Sequence, residues 1–367
     1  MKFAITKDRP NRLRDRVADG IIESFLLHGH EISSENNGVS FILNLTDIES
    51  PRPGRRRSQS VFIISLVAAD RYHGDIRSLC YGTLVRTLSN LLLCADSPDG
   101  YKANNAYSSE MYFTTPEAGF YHMPFEPERV YRRMLPIAGS HYAIENRFST
   151  DLPDRLSTPS AVVRKIRQYG KELDNLGVLP TPFPLKQILS EEELRHIFKI
   201  YGITGLSYGN LSAREQVPEI GETTFWMTGR GVDKSNISKV GKDVFLVKGF
   251  DYETGEALVS VPRDHDPKGR VSVDAVEHEL IYRTFPDVGA IVHVHAWMDG
   301  VHCTSQNYPC GTQELVQEVV TMLKQTSDPS HASVGLKNHG LTITGETLDE
   351  IFGRIRGRLL VEVPMYV

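Results

Sequence analysis

Cysteine and tryptophan are scarce in this chain, with four and two copies respectively among 367 residues. Cys80, Cys94, Cys303 and Cys310 form no CxxC pair, and so few thiols over this length exclude a disulfide framework. Basic excess is missing too. The 41 Lys and Arg against 46 Asp and Glu give a formal net charge of -5 at pH 7, with no global cationic field to collect nucleic acid or an anionic membrane. No apolar run approaches the roughly 18 residues of a membrane span. The opening MKFAITKDRPNRLRDR lacks the apolar centre of a signal peptide. The expectation is a cytoplasmic protein with neither a nucleic-acid nor a membrane partner.

What is present is ordinary globular material, 40% hydrophobic and 24% charged. The length exceeds the roughly 250 residues at which single cores stop growing, so two domains are expected. Residues 1–148 read as an α+β domain. In it an amphipathic helix from Asn11 to His28 precedes two β-rich runs, VSFILNLTD and SQSVFIISLVA, expected as antiparallel neighbours. RSLCYGTLVRTLSNLLLCA reads as an apolar helix, two short strands flank the turn PEAG, and PERVYRRMLPIAGSHY reads as a helix opened by proline. Arg55, Arg56 and Arg57 fall in the expected hairpin loop, where solvation is their default role. Residues 149–187, rich in proline around the helix AVVRKIRQYGKELDNL, read as a connector. Residues 188–367 then alternate short strands and helices, starting with a capping box at Ser190 and Glu193, as a mixed sheet covered by helices requires.

The chemistry concentrates in that last part. DVGAIVHVHAW places His293 and His295 two apart on a buried strand, and strand alternation sends both imidazoles to one face. One buried histidine is usually a hydrogen-bonded core residue; two side by side favour a shared ion. His339, in ASVGLKNHGLTITG, ends another apolar strand beside Gly340. Three protein ligands with an open fourth position describe a catalytic zinc site rather than a structural one. Cys303 and Cys310 are near in sequence, but their spacing is unlike that of zinc ligand pairs, so they are assigned to packing.

In VSVDAVEHELIYRTF, Asp274 sits at a helix start, where capping alone would explain it; a metal site adds the need for a carboxylate as general base or extra ligand. His278 is assigned to the helix surface. The glycine turns GLSYGNLSAR and MTGRGV, with Asn210, Ser212, Thr228 and Gly229, have the composition of an oxyanion or phosphate cradle.

The ordered motifs GNLSAR, TGRG, SVDAVEHELIYRTFPDVGAIVHVHA, GTQEL and NHGLTITGETLDE resemble the class II aldolase and adducin superfamily, as in L-fuculose-phosphate aldolase and L-ribulose-5-phosphate 4-epimerase, over about residues 190–358. The resemblance implies an α/β chain whose C-terminal domain is a three-layer α/β/α sandwich. It implies that His293, His295 and His339 bind a divalent metal, zinc first, with manganese, cobalt or iron as alternatives. It assigns Asn210, Thr228, Gly229 and Ser272 to phosphate binding, Asp274 to catalysis and Tyr366 as a candidate proton donor. Retro-aldol cleavage of a small sugar phosphate or related hydroxy-carbonyl compound is the implied reaction, carried out by a homo-oligomer, commonly a tetramer. Family aldolases usually carry glutamate where this chain has Asp274, an aspartate being the residue type seen in the epimerase, and Val273 replaces one serine of the usual pair. Epimerisation, dehydration and decarboxylation are the alternatives on the same chemistry. A non-catalytic, adducin-like role is the alternative of another class, set against the retention of all three histidines.

Overall fold

The computed structural model describes residues 1–55, 61–70, 72–97, 109–117, 119–179, 190–192, 194–195 and 207–366. Arg56, Arg57 and Glu193, named above, lie outside them. The chain divides into two compact units, Met1–Ser140 with Phe183–Leu194 and Met365–Val367, and His141–Pro182 with Arg195–Pro364.

The first unit runs β1 (Lys2–Lys7), α1 (Arg12–Leu27), β2 (Glu31–Ser33), β3 (Phe41–Leu45), β4 (Phe62–Ala68), α2 (Ile76–Thr87), β5 (Leu91–Asp96), β6 (Glu110–Thr114), β7 (Phe120–Pro124) and α3 (Pro127–Ala138). Its sheet has the order β2-β1-β3-β4-β5-β6-β7. The first five strands are mutually parallel, and β6 and β7 add antiparallel. Every residue of β3, β4 and β5 is buried. Burial on both faces is the condition under which parallel strands read as unbroken apolar runs.

Two expectations change here. β3 and β4 are neighbours but parallel, with Phe41 opposite Phe62, so the two strands are not an antiparallel hairpin. The run ending LLLCA is not all helix either. α2 stops at Thr87 because Leu88 turns into the left-handed region at φ 56° and Asn90 Oδ1 accepts the Ile63 backbone N–H, which sends Leu91 onward as a strand.

The second unit runs β8 (Glu145–Ser149), α4 (Ala161–Asn175), β9 (Asn210–Arg214), β10 (Phe225–Thr228), β11 (Val244–Asp251), β12 (Glu256–Ser260), α5 (Ala275–Thr284), β13 (Ala290–Val294), α6 (Gln313–Gln325), β14 (Ser333–Leu336), β15 (Gly340–Gly345) and α7 (Leu348–Ile355). The sheet order is β14-β15-β13-β9-β10-β11-β12-β8, antiparallel throughout except where β8 pairs parallel with β12. One face packs on α4 and α7 through Val163, Ile166, Ile351 and Phe352; the other packs on α5 and α6 through Val276, Ile281, Val316 and Val319. These are the three layers of an α/β/α unit.

The stretch expected as a connector therefore supplies β8 and α4 to the second unit, and the division falls at Ser140. The cause is the helical apolar period of α4, whose Val163, Ile166 and Leu173 are fully buried. Likewise the segment around His339 is a hairpin of two strands, with the histidine in its turn. Among the described residues no helix is long and apolar enough to cross a membrane.

Candidate metal centre

β13 alternates in the manner its sequence predicts. Ala290, Val292 and Val294 enter the core with α4 and α7, while Ile291 enters the opposite core. His293 follows Ile291 onto that second face, and His295 follows two residues later. His293 is 2% exposed, and its Nδ1 lies 3.0 Å from the Leu341 carbonyl oxygen. A carbonyl can only accept, so Nδ1 carries the proton and Nε2 keeps its lone pair. That Nε2 has no hydrogen-bond partner among the described residues.

His339 reaches the same place from the β14–β15 turn. Asn338 adopts φ 57°, and Gly340 resumes the strand against β13. A Cβ at Gly340 would run into the Val294 carbonyl oxygen and approach within 3.0 Å of the His295 Cα. On the other side a Cβ at Gly209, itself at φ +71°, would lie 2.5 Å from the His293 carbonyl oxygen. Glycine at both positions lets two backbones close on the strand that carries the histidines.

The three rings form a near-equilateral triangle, with centroids 5.1, 4.9 and 4.8 Å apart and planes roughly perpendicular. His339 Nε2 and His295 Nε2 are 3.2 Å apart. At an ordinary zinc–nitrogen bond of about 2.05 Å, two nitrogens of a tetrahedral ion are about 3.3 Å apart. Burial pushes all three pKa values down, in His295 and His339 helped by neighbouring histidines, so the rings are neutral and able to donate a lone pair. Tyr208 stacks on His295 at 4.7 Å.

Asp274, 4% exposed at the start of α5, borders this triangle. β9 lies next to β13 with Asn210 opposite His293. From there Asn210 Nδ2 donates to Asp274 Oδ2 at 2.6 Å and to Ser272 Oγ at 3.1 Å. The Ser272 backbone N–H donates in turn to the Thr228 carbonyl. Asn210, Ser272, Thr228 and Asp274 are thus gathered beside the histidines.

The polar groups of Ser212, Thr228 and Gly229 are nonetheless engaged inside the protein. The Ser212 hydroxyl is fully buried between His278 Nδ1 and Tyr282 Oη, each 2.7 Å away. Thr228 Oγ1 accepts the Leu211 N–H, and the Gly229 N–H donates to the Asp243 carbonyl. Tyr366 falls with the first unit and is 42% exposed.

Several buried ionisable groups were invisible to the sequence reading. His278 is 0% exposed rather than on the helix surface, because α5 is buried over its whole first two turns. Glu277 lies beneath Asp274, receives the Thr342 hydroxyl at 2.6 Å, and has its pKa pushed up to about 8 by burial and by the Asp274 charge. Lys234 is buried with Nζ 2.9 Å from the Ser207 carbonyl, and burial lowers its pKa to about 7. Arg230, from the TGRG turn, is lowered to about 10 by burial and donates to the Ile144 carbonyl. Apolar neighbours such as Val276 and Val232 were the available signal. Cys310 also joins the cluster, its Sγ 3.2 Å from His339 Nε2.

The second unit is thus a three-layer α/β/α domain whose interior strand β13 and the neighbouring β14–β15 turn bring together a histidine cluster able to hold a metal ion. Residues 193–306 match the family model of the class II aldolase and adducin N-terminal domain, and that segment is what the chain shares with the class II aldolase and adducin family. A methylthioribulose-1-phosphate dehydratase of Serratia proteamaculans is 39% identical over 61 residues, which is 16% of this chain and only 28% of that protein. Among solved structures, an aldolase II superfamily protein from Pseudomonas syringae covers 56% of this chain and 74% of its own, at 17% identity and TM-score 0.36. YgbL from Klebsiella pneumoniae, named as a candidate aldolase, epimerase or decarboxylase, covers 53% and 84%, at 18% identity and TM-score 0.32. Overlaps this low add nothing to the assignment.

Proposed function

We propose that the second unit is a metal-dependent lyase that cleaves a small hydroxy-carbonyl compound, a sugar phosphate or a close relative, by retro-aldol chemistry. The carrying observation is the convergence of three neutral imidazoles, one with an unpartnered buried Nε2, beside a buried carboxylate. That donor set fits a divalent cation of intermediate softness, zinc first, with manganese, cobalt or iron as alternatives. His293, His295 and His339 would hold it, and the Leu341 carbonyl fixes the His293 ring for the task. When bound, the ion supplies a Lewis acid for the substrate carbonyl.

The protein's own groups then handle protons and position. In the cleavage direction the bond between the carbon next to the carbonyl and its hydroxyl-bearing neighbour breaks. That hydroxyl loses its proton and becomes the carbonyl of one product, and the carbon left behind gains a proton. Asp274 is the group assigned to carry it, oriented by the short bond from Asn210. Ser272 and Arg230 are the candidates for the remote anionic end of the substrate. Holding that end fixes the reacting bond relative to Asp274. Assembly of a homo-oligomer, up to a tetramer, belongs to the same reading and is measured by sedimentation.

The dehydratase relative favours a second reading, loss of water from the same class of substrate. The two part at the products. Incubating metal-reconstituted protein with a panel of ketose phosphates and sugar acids, followed by mass spectrometry, should give two carbonyl fragments for an aldolase. A single product lighter by one water would replace the first reading with the second.

A further inference from the structure

We infer that Cys310 is a fourth ligand of the metal centre, so that the site at rest is a closed set of one thiolate and three imidazoles rather than three histidines with an open position. The inference rests on the metal-site reading above and adds to it a residue from a different loop.

Cys310, His293, His295 and His339 place one ligand atom each within 4.8 Å of one another. The sulfur and the His295 Nε2 each lie 3.2 Å from His339 Nε2. At bonds of about 2.05 Å to nitrogen and 2.3 Å to sulfur, the edges of a tetrahedron are about 3.3 Å between nitrogens and about 3.6 Å between nitrogen and sulfur. Both separations are therefore at the scale of a shared ion before any adjustment. The neighbouring His293 is 2% exposed with its Nε2 unpartnered among the described residues, a buried lone pair directed into the same cluster.

The loop that brings the sulfur there is built rigidly. Thr312 Oγ1 donates to the Pro309 carbonyl at 2.7 Å, and the Ala143 N–H donates to the Gly311 carbonyl at 2.8 Å. Gly311 takes φ +70°, and a Cβ there would meet Ile144 Cγ2 at 2.6 Å. The turn is held on both sides of Cys310, directly before α6 begins at Gln313. A side chain placed only to fill space would not need that fixation. Cys303 offers the contrast: it is also partly buried but pairs by its backbone with Gly335, outside the cluster.

Sulfur ligation has a chemical consequence. The thiol proton would be released to solvent on binding, and a substrate oxygen would then reach the ion by displacing the thiolate or by adding as a fifth ligand. Cys310 would then govern access to the centre while the three histidines retain the ion.

Cobalt(II) reconstitution of the full chain tests this by spectroscopy. Wild-type protein should bind one cobalt with a thiolate-to-cobalt charge-transfer band in the near ultraviolet. Cys310→Ser should keep cobalt on its histidines, lose the band and bind it roughly 10–100-fold more weakly, at least the scale of supporting groups. Cys303→Ser should leave the spectrum unchanged. Should Cys310→Ser fail to fold, alkylation of the wild type with and without cobalt, mapped by peptide mass, must show metal protection at Cys310. A wild-type cobalt complex without the band, or alkylation of Cys310 unaffected by cobalt, overturns the inference while leaving the histidine site standing; a wild type that binds no cobalt overturns the histidine reading itself.

Discussion

The two units bury polar groups in different ways. In the first, Asn44 Nδ2 donates to Ser65 Oγ at 2.9 Å, Ser89 Oγ donates to the same oxygen at 2.7 Å, and Thr87 closes the chain at 2.8 Å from Ser89. These groups are neutral and satisfy one another. In the second, the buried polar groups beside β13 are largely ionisable, and Asn210 Oδ1, His278 Nε2, His293 Nε2, His295 Nδ1 and His339 Nδ1 lack partners among the described residues. The first unit has unpartnered buried atoms too, on Arg14, Asp96, Ser109 and Thr114, but they are spread along its sequence. Unsatisfied buried polarity costs about 1–3 kcal/mol per group, and of these atoms His293 Nε2 is the one that an ion shared with the facing Nε2 atoms of His295 and His339 would relieve.

Breaking the concentrated cluster should have the largest effect. His293→Ala is expected to take bound metal from one equivalent to near zero and abolish lyase turnover with it; undiminished metal by elemental analysis would remove His293 from the ligand set. Asp274→Asn should keep the metal and lower turnover by roughly 10²–10⁴-fold, the range of a general acid–base group. Loss of metal in that variant would recast Asp274 as a ligand. Gly340→Ala forces a Cβ onto the Val294 carbonyl, and about 1–3 kcal/mol of stability should disappear along with some metal affinity. In the first unit, Asn44→Ala should cost about 1–3 kcal/mol by denaturant titration, yet leave metal content unchanged. If it also strips the metal, the contrast between the units fails.

The smallest effect separates charge from packing. The Glu277 pKa is raised from 4.5 to about 8, so the folded protein holds a proton there that the unfolded chain releases. The stability from that difference is complete below pH 4.5 and is lost as pH rises through about 8. Glu277→Gln keeps an acceptor for Thr342 and should flatten this decline. The difference between the two urea midpoints across pH 5 to 8 isolates it, because Lys234, which titrates the other way, is common to both proteins.

How much of this could be read beforehand depended on the range of the signal. His293 and His295 were legible because alternation along one strand is a local rule, and NHG marked His339 because the turn needs an unusual backbone at Asn338. Cys310 was not legible, since its distance to His339 is set by the separate fixation of two loops and not by sequence spacing. Ser212 and His278 were misplaced for a related reason: both look polar and exposable, but they hydrogen-bond each other across β9 and α5. In the first unit the runs FILNL and FIISLVA already had the unbroken apolar character of parallel strands, whereas their direction is decided by connections that no local pattern encodes.

The parallel pairing of β8 with β12 has a practical side for anyone who would excise the second unit. A fragment cut at Ser190, where the family-like motifs begin, would carry β12 as a bare sheet edge and leave Trp226 and Phe352 without α4 above them. The shortest piece expected to remain monodisperse starts at His141, well upstream of His293, and the usable boundary of the unit is therefore drawn by its scaffold and not by its candidate site.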